Sequence, residues 1–295
     1  MTKTVQKEIV RKIRQIPPLS QSASRLMTLM GDPDHNVGQI TRIVECDAGL
    51  TTHILKVVNS AAFSLMEPTT SIARAVSYLG DKMIVGVALD FCTSELYARQ
   101  LEGYESKQGA LWDHNMRTAI ASKEIAGLSA QTINPDLAFT CGILHDIGKA
   151  IISEFLKNSA GEIVAGIDDG TVTDYLAAEQ ERLGTDHCIV GSKLAKSWRL
   201  PDPLPEVIRY HHHPSAAQES DRSLVYAVHL GDIIAMMGGA GTGADSMQYP
   251  LDTGYTDYID ISPDALAHVM LSVEDEFKKT KAALFGDVEQ AENNK

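Results

Sequence analysis

Two long stretches of this chain, residues 69–134 and 136–200, contain no proline. Both are rich in Ala, Leu, Ile, Lys and Glu, the better helix formers. Prolines gather instead at 17–18, 33, 68, 135, 201–205, 214, 250 and 263, where a helix must start or stop. Apolar residues recur at helical spacing. Ile40, Ile43 and Val44 are followed by Ile54, Leu55 and Val58. Asp47 is predicted to divide this stretch and to cap the second helix. Ile72, Ala75, Val76 and Leu79 form another stripe, ended by Gly80, with Asp81 expected as the next N-cap. Ser122, Ile125, Ala126 and Leu128 continue a helix that starts near Trp112. Period-2 alternation is scarce, and only residues 248–261 read as a short hairpin. The expected fold class is all-α, with about a dozen helices.

A polar stretch with two glycines, residues 101–110, suggests a boundary. Residues 1–107 are expected to form an N-terminal helical subdomain and residues 108–295 a second one. The second contains a long Gly-rich loop, 238–262, and loops of that length tend to be functional. The last eight residues read as disordered. The N-terminus carries Lys3, Lys7, Arg11, Lys12 and Arg14, with Val5, Ile9, Val10 and Ile13 on one face. It is read as a docking helix, because no apolar signal region follows. The uncharged run 83–89, closed by Asp90, is far short of the about 20 residues a membrane span needs. Four scattered cysteines suggest buried, reduced thiols and a cytoplasmic location. The net charge of −13 argues against DNA or RNA as partners, and the short apolar runs argue against a membrane. It does not forbid a small phosphate-bearing ligand held at one positive point.

The sharpest local signal is Leu144-His145-Asp146-Ile147-Gly148-Lys149. It follows an apolar run through Leu137, Ala138, Phe139 and Ile143. A buried imidazole and carboxylate are costly unless satisfied, and a metal ion satisfies both. His114, His187, the His211-His212-His213 run and Asp232 are further candidates at helix-like positions. Imidazole and carboxylate ligands together suit Fe, Mn or Zn rather than Ca.

The order His114, His145-Asp146, Asp232 resembles the ligand pattern of the HD superfamily of metal-dependent phosphohydrolases. His187 and the His211-His212 pair resemble the added ligands of its binuclear members, the HD-GYP phosphodiesterases among them. The N-terminal half is more specific. Ile16-Pro17-Pro18-Leu19, the run from Ile43 to Leu50, the run from Val57 to Phe63 and the run from Ser71 to Val76, with Leu79-Gly80, resemble the HDOD family. That likeness implies an HD-type helical bundle and a bacterial signalling module. Many members of that family lack the ligands kept here. The GYP element is absent after His213, and Ala110 stands where a trinuclear site would have a Glu one turn before His114.

The resemblance implies two divalent ions, Fe or Mn ahead of Zn. His114, His145, Asp146 and Asp232 would hold one. His187, His211 and His212 would hold the other, with Asp146 bridging. Asp146 and Lys149 are the expected catalytic residues, and Lys149 and Arg117 are expected to meet substrate phosphate. Blander readings stand beside these. Lys149 could be a solvated helix residue, His187 a capping residue, Asp232 half of a helix ion pair and His145-Asp146 a metal-free core pair. His213 is expected to be exposed. His229 is expected to support the site or simply to pack, and His35, His53 and His268 to be surface or packing residues. Three functions follow: hydrolysis of a phosphoester or nucleotide, a non-catalytic docking module around Asn59-Ser60 with a structural metal, and an oxygen-sensing di-iron site. No receiver, GGDEF or helix-turn-helix segment occurs in the chain, so a signalling partner is expected on a separate chain.

Overall fold

The computed structural model describes residues 2–30, 32, 34–59, 67–129 and 133–285. Ser60 to Phe63 and the final eight residues, on which two expectations fell, lie outside the described residues. The helices are α1 (Thr2–Gln15), α2 (Gln21–Met30), α3 (Val37–Glu45), α4 (Ala48–Val58), α5 (Ile72–Leu79), α6 (Asp81–Tyr97), α7 (Ala110–Leu128) and α8 (Pro135–Leu144). They continue as α9 (Lys149–Ile152), α10 (Ala160–Asp168), α11 (Tyr175–Leu183), α12 (His187–Ser197), α13 (Leu204–Tyr210), α14 (Arg222–Met237) and α15 (Pro263–Phe285). No strand occurs among the described residues.

The caps are largely where polar residues precede apolar stripes. Asn36 and Gln39 form a reciprocal capping box on α3. The Asp47 carboxylate accepts the Leu50 N–H at 3.0 Å, dividing α3 from α4 as expected. Asn134 caps α8, with Pro135 in its first turn. Asp81 departs from expectation. Gly80, at φ 82°, occupies the N-cap position, and Asp81 is the first residue of α6. The Asp81 carboxylate instead meets His35 Nε2 at 2.8 Å. The expected hairpin is also absent. Residues Thr253–Asp257 form a 3-10 turn, begun by Asp252 accepting the Gly254 N–H at 2.9 Å. The Asp and Thr side chains of this stretch satisfy nearby backbone groups and so compete with strand pairing.

Helix α1 docks against α9, α11 and α12. Ile9 and Ile13 are buried, which is worth on the order of 3–6 kcal/mol before ordering costs. Val10, expected on the same face, is exposed. Helix α7 lies against α8, α14 and α15 and is buried on several sides. One apolar core runs from α1 to α15. All four cysteines are free thiols; Cys141 and Cys188 are buried, but Cys46 is exposed, contrary to expectation. No helix among the described residues is long and apolar enough to cross a membrane.

Candidate metal centre

Helix α8 ends at Leu144, and His145 and Asp146 lie in the turn that leads to α9. Gly148 closes that turn against the start of α12. A Cβ there would lie 1.9 Å from the His187 carbonyl oxygen, so only glycine allows the approach. The turn therefore sits beside His187. His114 comes from α7 and Asp232 from α14. His211 and His212 come from the end of α13, where the helix stops and lets both rings face inward. The structure thus brings together all seven of the proposed ligands. Each is at most 3% exposed.

Four of the imidazoles share one arrangement. His114 Nδ1 donates to the Ala240 carbonyl at 2.7 Å, and His145 Nδ1 to Gly142 at 2.8 Å. His211 Nδ1 donates to Ile208 at 3.0 Å, and His187 Nδ1 to the Glu179 carboxylate at 2.8 Å. Acceptor-only partners place the proton on Nδ1 and leave each Nε2 facing the interior. Asp146 stands between the rings. Its Oδ2 lies 3.4 Å from His114 Nε2 and 3.5 Å from His145 Nε2. Its Oδ1 lies 3.4 Å from His187 Nε2 and 3.5 Å from His211 Nε2. Asp232 Oδ1 lies 3.1 Å from His114 Nε2, and its Oδ2 makes no hydrogen bond. Both nitrogens of the buried His212 are without a hydrogen-bond partner, and so is Asp146 Oδ1. Orphaned ligand atoms in a closed polar space fit a metal.

Lys149 is buried, not solvated. Its ammonium lies 2.7 Å from Asp146 Oδ2 and 2.6 Å from Asp245 Oδ2, with Thr242 Oγ1 at 3.1 Å. Burial opposes its charge, yet the carboxylates of Asp146 and Asp245 raise its pKa. Burial likewise opposes the charge on Asp146, but Lys149 and His145 hold its carboxyl well below the usual range. Asp232 is held low against burial by His114 and His145. Burial disfavours the charged form of His114, but Asp146 and Asp232 lift its pKa to about 9. His211 also reaches about 9 against burial, through Cys188 and Asp146. Burial keeps His145 low, and burial together with the His211 charge keeps His212 well below its ordinary value. Asp146, Asp232, Asp245 and Glu179 crowd one region in which Lys149 is the only lysine or arginine buried among the described residues. In the metal-free chain the protons on His114 and His211 offset part of this negative charge, and divalent ions would take their place.

Arg117 does not join the centre. Its Nε donates to Glu274 at 2.8 Å and its guanidinium lies 3.4 Å over the Phe277 ring, so its long side chain is directed at α15. His213 is exposed, as expected. His229 supports the site: Nδ1 donates to the His211 carbonyl, and Nε2 accepts the Asp252 N–H. Capping at α12 falls to Asp186, which accepts the Ile189 N–H and leaves His187 free.

The sequence reading missed Glu179, Asp245, Tyr249 and Cys188. Tyr249 stacks on His212 at 3.9 Å between centroids. Cys188 groups with His187, His211 and His212, their ligand atoms all within 4.8 Å of one another. A second such group joins His114, His145 and Asp232. The loop 238–262 is a strap across these residues. Gly243 holds it close to Tyr104, where a Cβ would lie 2.0 Å from the carbonyl oxygen.

The HDOD domain matches residues 16–214. The chain belongs to the HDOD family. An uncharacterized protein of Treponema pallidum (strain Nichols) is 23% identical over 220 residues, covering 75% of this HDOD chain. The chain spans 42% of that curated relative's length. Its structure is similar to that of an HDOD domain protein of unknown function from Geobacter sulfurreducens, with a TM-score of 0.73 and 22% identity over 96% of this chain and 98% of that one. It is also similar to a candidate phosphohydrolase from Shewanella amazonensis SB2B, with a TM-score of 0.70 and 23% identity over 94% and 97% of the two chains. These likenesses show the all-α helical-bundle fold.

Proposed function

We propose that this HDOD protein is a signal-transduction module with a two-ion HD-type centre that hydrolyses a small phosphoester or nucleotide. The observation that supports it best is Asp146, whose two oxygens each face a different pair of imidazole nitrogens. His114, His145, Asp146 and Asp232 would hold one ion, and His187, His211 and His212 the other. Bound divalent ions supply Lewis-acid activation of water and charge for an in-line phosphate. The protein's own part is orientation and exclusion of water. Ala240, Gly142, Ile208 and Glu179 fix the rings through Nδ1. Lys149 holds Asp146 in place, and it would offer a cation to phosphate once the strap releases Asp245. The ions are proposed as Fe or Mn at the all-N,O set.

Closure of the centre favours a second reading. Every proposed ligand is buried, and both charges of the Lys149–Asp245 pair are internal. An HDOD module with a structural or redox-sensing metal, docked on a separate signalling chain, would look the same. Metal analysis of purified protein, followed by a panel of phosphoesters and cyclic dinucleotides, separates the readings. Turnover that scales with metal content supports hydrolysis. Stoichiometric metal without turnover supports the regulator, and absence of stoichiometric metal defeats both.

Metal uptake should depend on pH with a definite sign. His114 and His211 have pKa values of about 9 in the metal-free chain and carry protons at neutral pH. An ion must displace those protons, so affinity falls as pH falls. The part of the gain that comes from these two rings ends near pH 9, and His187, whose pKa burial opposes but Cys188 and Glu179 raise well above the ordinary value, carries the dependence further. Calorimetry in buffers of different ionisation enthalpy should show proton release near neutrality that is lost in this component above that value. An affinity that stays flat as pH approaches about 9 would contradict the proposed ligands.

A further inference from the structure

The ligand groups are chemically unequal. His114, His145 and Asp232 offer nitrogen and oxygen alone. His187, His211 and His212 share their group with a sulfur, Cys188 Sγ. We propose that the Cys188 thiolate is a ligand of the second ion and makes that position selective for Zn2+. This rests on the metal-centre reading above and sharpens it for one half.

Cys188 Sγ lies 3.4 Å from His187 Nε2 and 4.0 Å from His211 Nε2. Those two nitrogens are the inward-facing ones, because each Nδ1 has an outside acceptor. At near-tetrahedral angles, zinc bonds of about 2.3 Å to sulfur and about 2.0–2.1 Å to nitrogen separate adjacent S and N ligands by about 3.5 Å, and zinc can expand to take a fifth ligand such as Asp146. The His187 spacing matches that edge length, and the His211 spacing, 4.0 Å to Nε2 and 3.9 Å to Nδ1, is longer and would close by a small ring movement. His212 gives an independent sign of a ligand. It is 3% exposed, both of its nitrogens lack hydrogen-bond partners, and it belongs to the same group. Cys141 is equally buried yet belongs to no such group among the described residues. A set of three imidazoles and one thiolate suits zinc better than manganese, which prefers oxygen. Coordination replaces the S–H bond with S–Zn and releases the proton to solvent. The centre would then hold two different ions, with the harder one at the His114 side.

Zinc K-edge X-ray absorption on the full chain, loaded with Zn2+ alone, tests this directly. A sulfur shell at about 2.3 Å beside a nitrogen and oxygen shell at about 2.0–2.1 Å is the expected result. Cys188→Ser should lose the sulfur shell and keep the other. The wild-type spectrum decides the matter even if that variant fails to fold. Bound zinc with nitrogen and oxygen scatterers only would overturn the thiolate assignment while leaving the metal centre intact. Absence of bound zinc, with Mn2+ or Fe2+ still taken up, overturns the zinc position alone. Absence of all metal overturns both.

Discussion

Asp146→Asn should strip the protein of both ions rather than one. The side chain keeps its size, but the carboxylate that faces both ring pairs becomes a neutral amide. Altering the outer partners of metal ligands commonly costs 10–100-fold in affinity, so a lost bridging carboxylate should cost more than roughly 100-fold at each position. His114→Ala is the control. It removes a ligand from one group and leaves His187, Cys188, His211 and His212 in place. Metal-to-protein ratios by elemental analysis should fall close to zero in the first variant and by about half in the second. Two retained ions in Asp146→Asn would show that Asp146 does not bridge.

Lys149→Met carries the second large effect, on stability. The ammonium is buried between Asp146 and Asp245 at 2.7 and 2.6 Å. Removing it leaves Asp245 fully buried, with Thr242 and Tyr249 hydroxyls as its remaining partners. Breaking a buried pair in this way costs about 3–5 kcal/mol. Urea unfolding in the presence of a chelator should show that loss. Adding Asp245→Asn to the Lys149→Met chain should recover part of it, since the stranded charge is then gone. A cost below about 1 kcal/mol would match a surface pair instead and contradict the buried geometry.

Much of this architecture was legible in the sequence because its causes are local. Helical spacing of apolar residues marked α3 to α5, and Asp47 and Gly80 marked their ends. The residues that meet at the candidate centre were legible because a His or Asp inside an apolar helix has few other uses. Pro214, just past the paired histidines, correctly suggested that the helix stops and lets two rings converge. The errors have long-range causes. Asp245 meets Lys149 across 96 positions, and no local pattern signals such a pairing. Arg117 shares a helix with His114, but Glu274 and Phe277 of α15 capture its side chain. Cys188 reads as an ordinary buried thiol in the sequence because the three rings it meets come from two different helices. Asp252 and Thr253 looked like strand residues, yet the former begins a turn.

The strap has a kinetic consequence. It gives Ala240 O to His114, Thr242 and Asp245 to Lys149, and the Tyr249 ring to His212. It also donates the Asp252 N–H to His229. An ion held at the proposed centre would therefore exchange at a rate coupled to the opening of this segment as well as to the strength of its bonds. A molecule that bound residues 238–262 from outside would then change exchange at the centre without touching any of the proposed ligands.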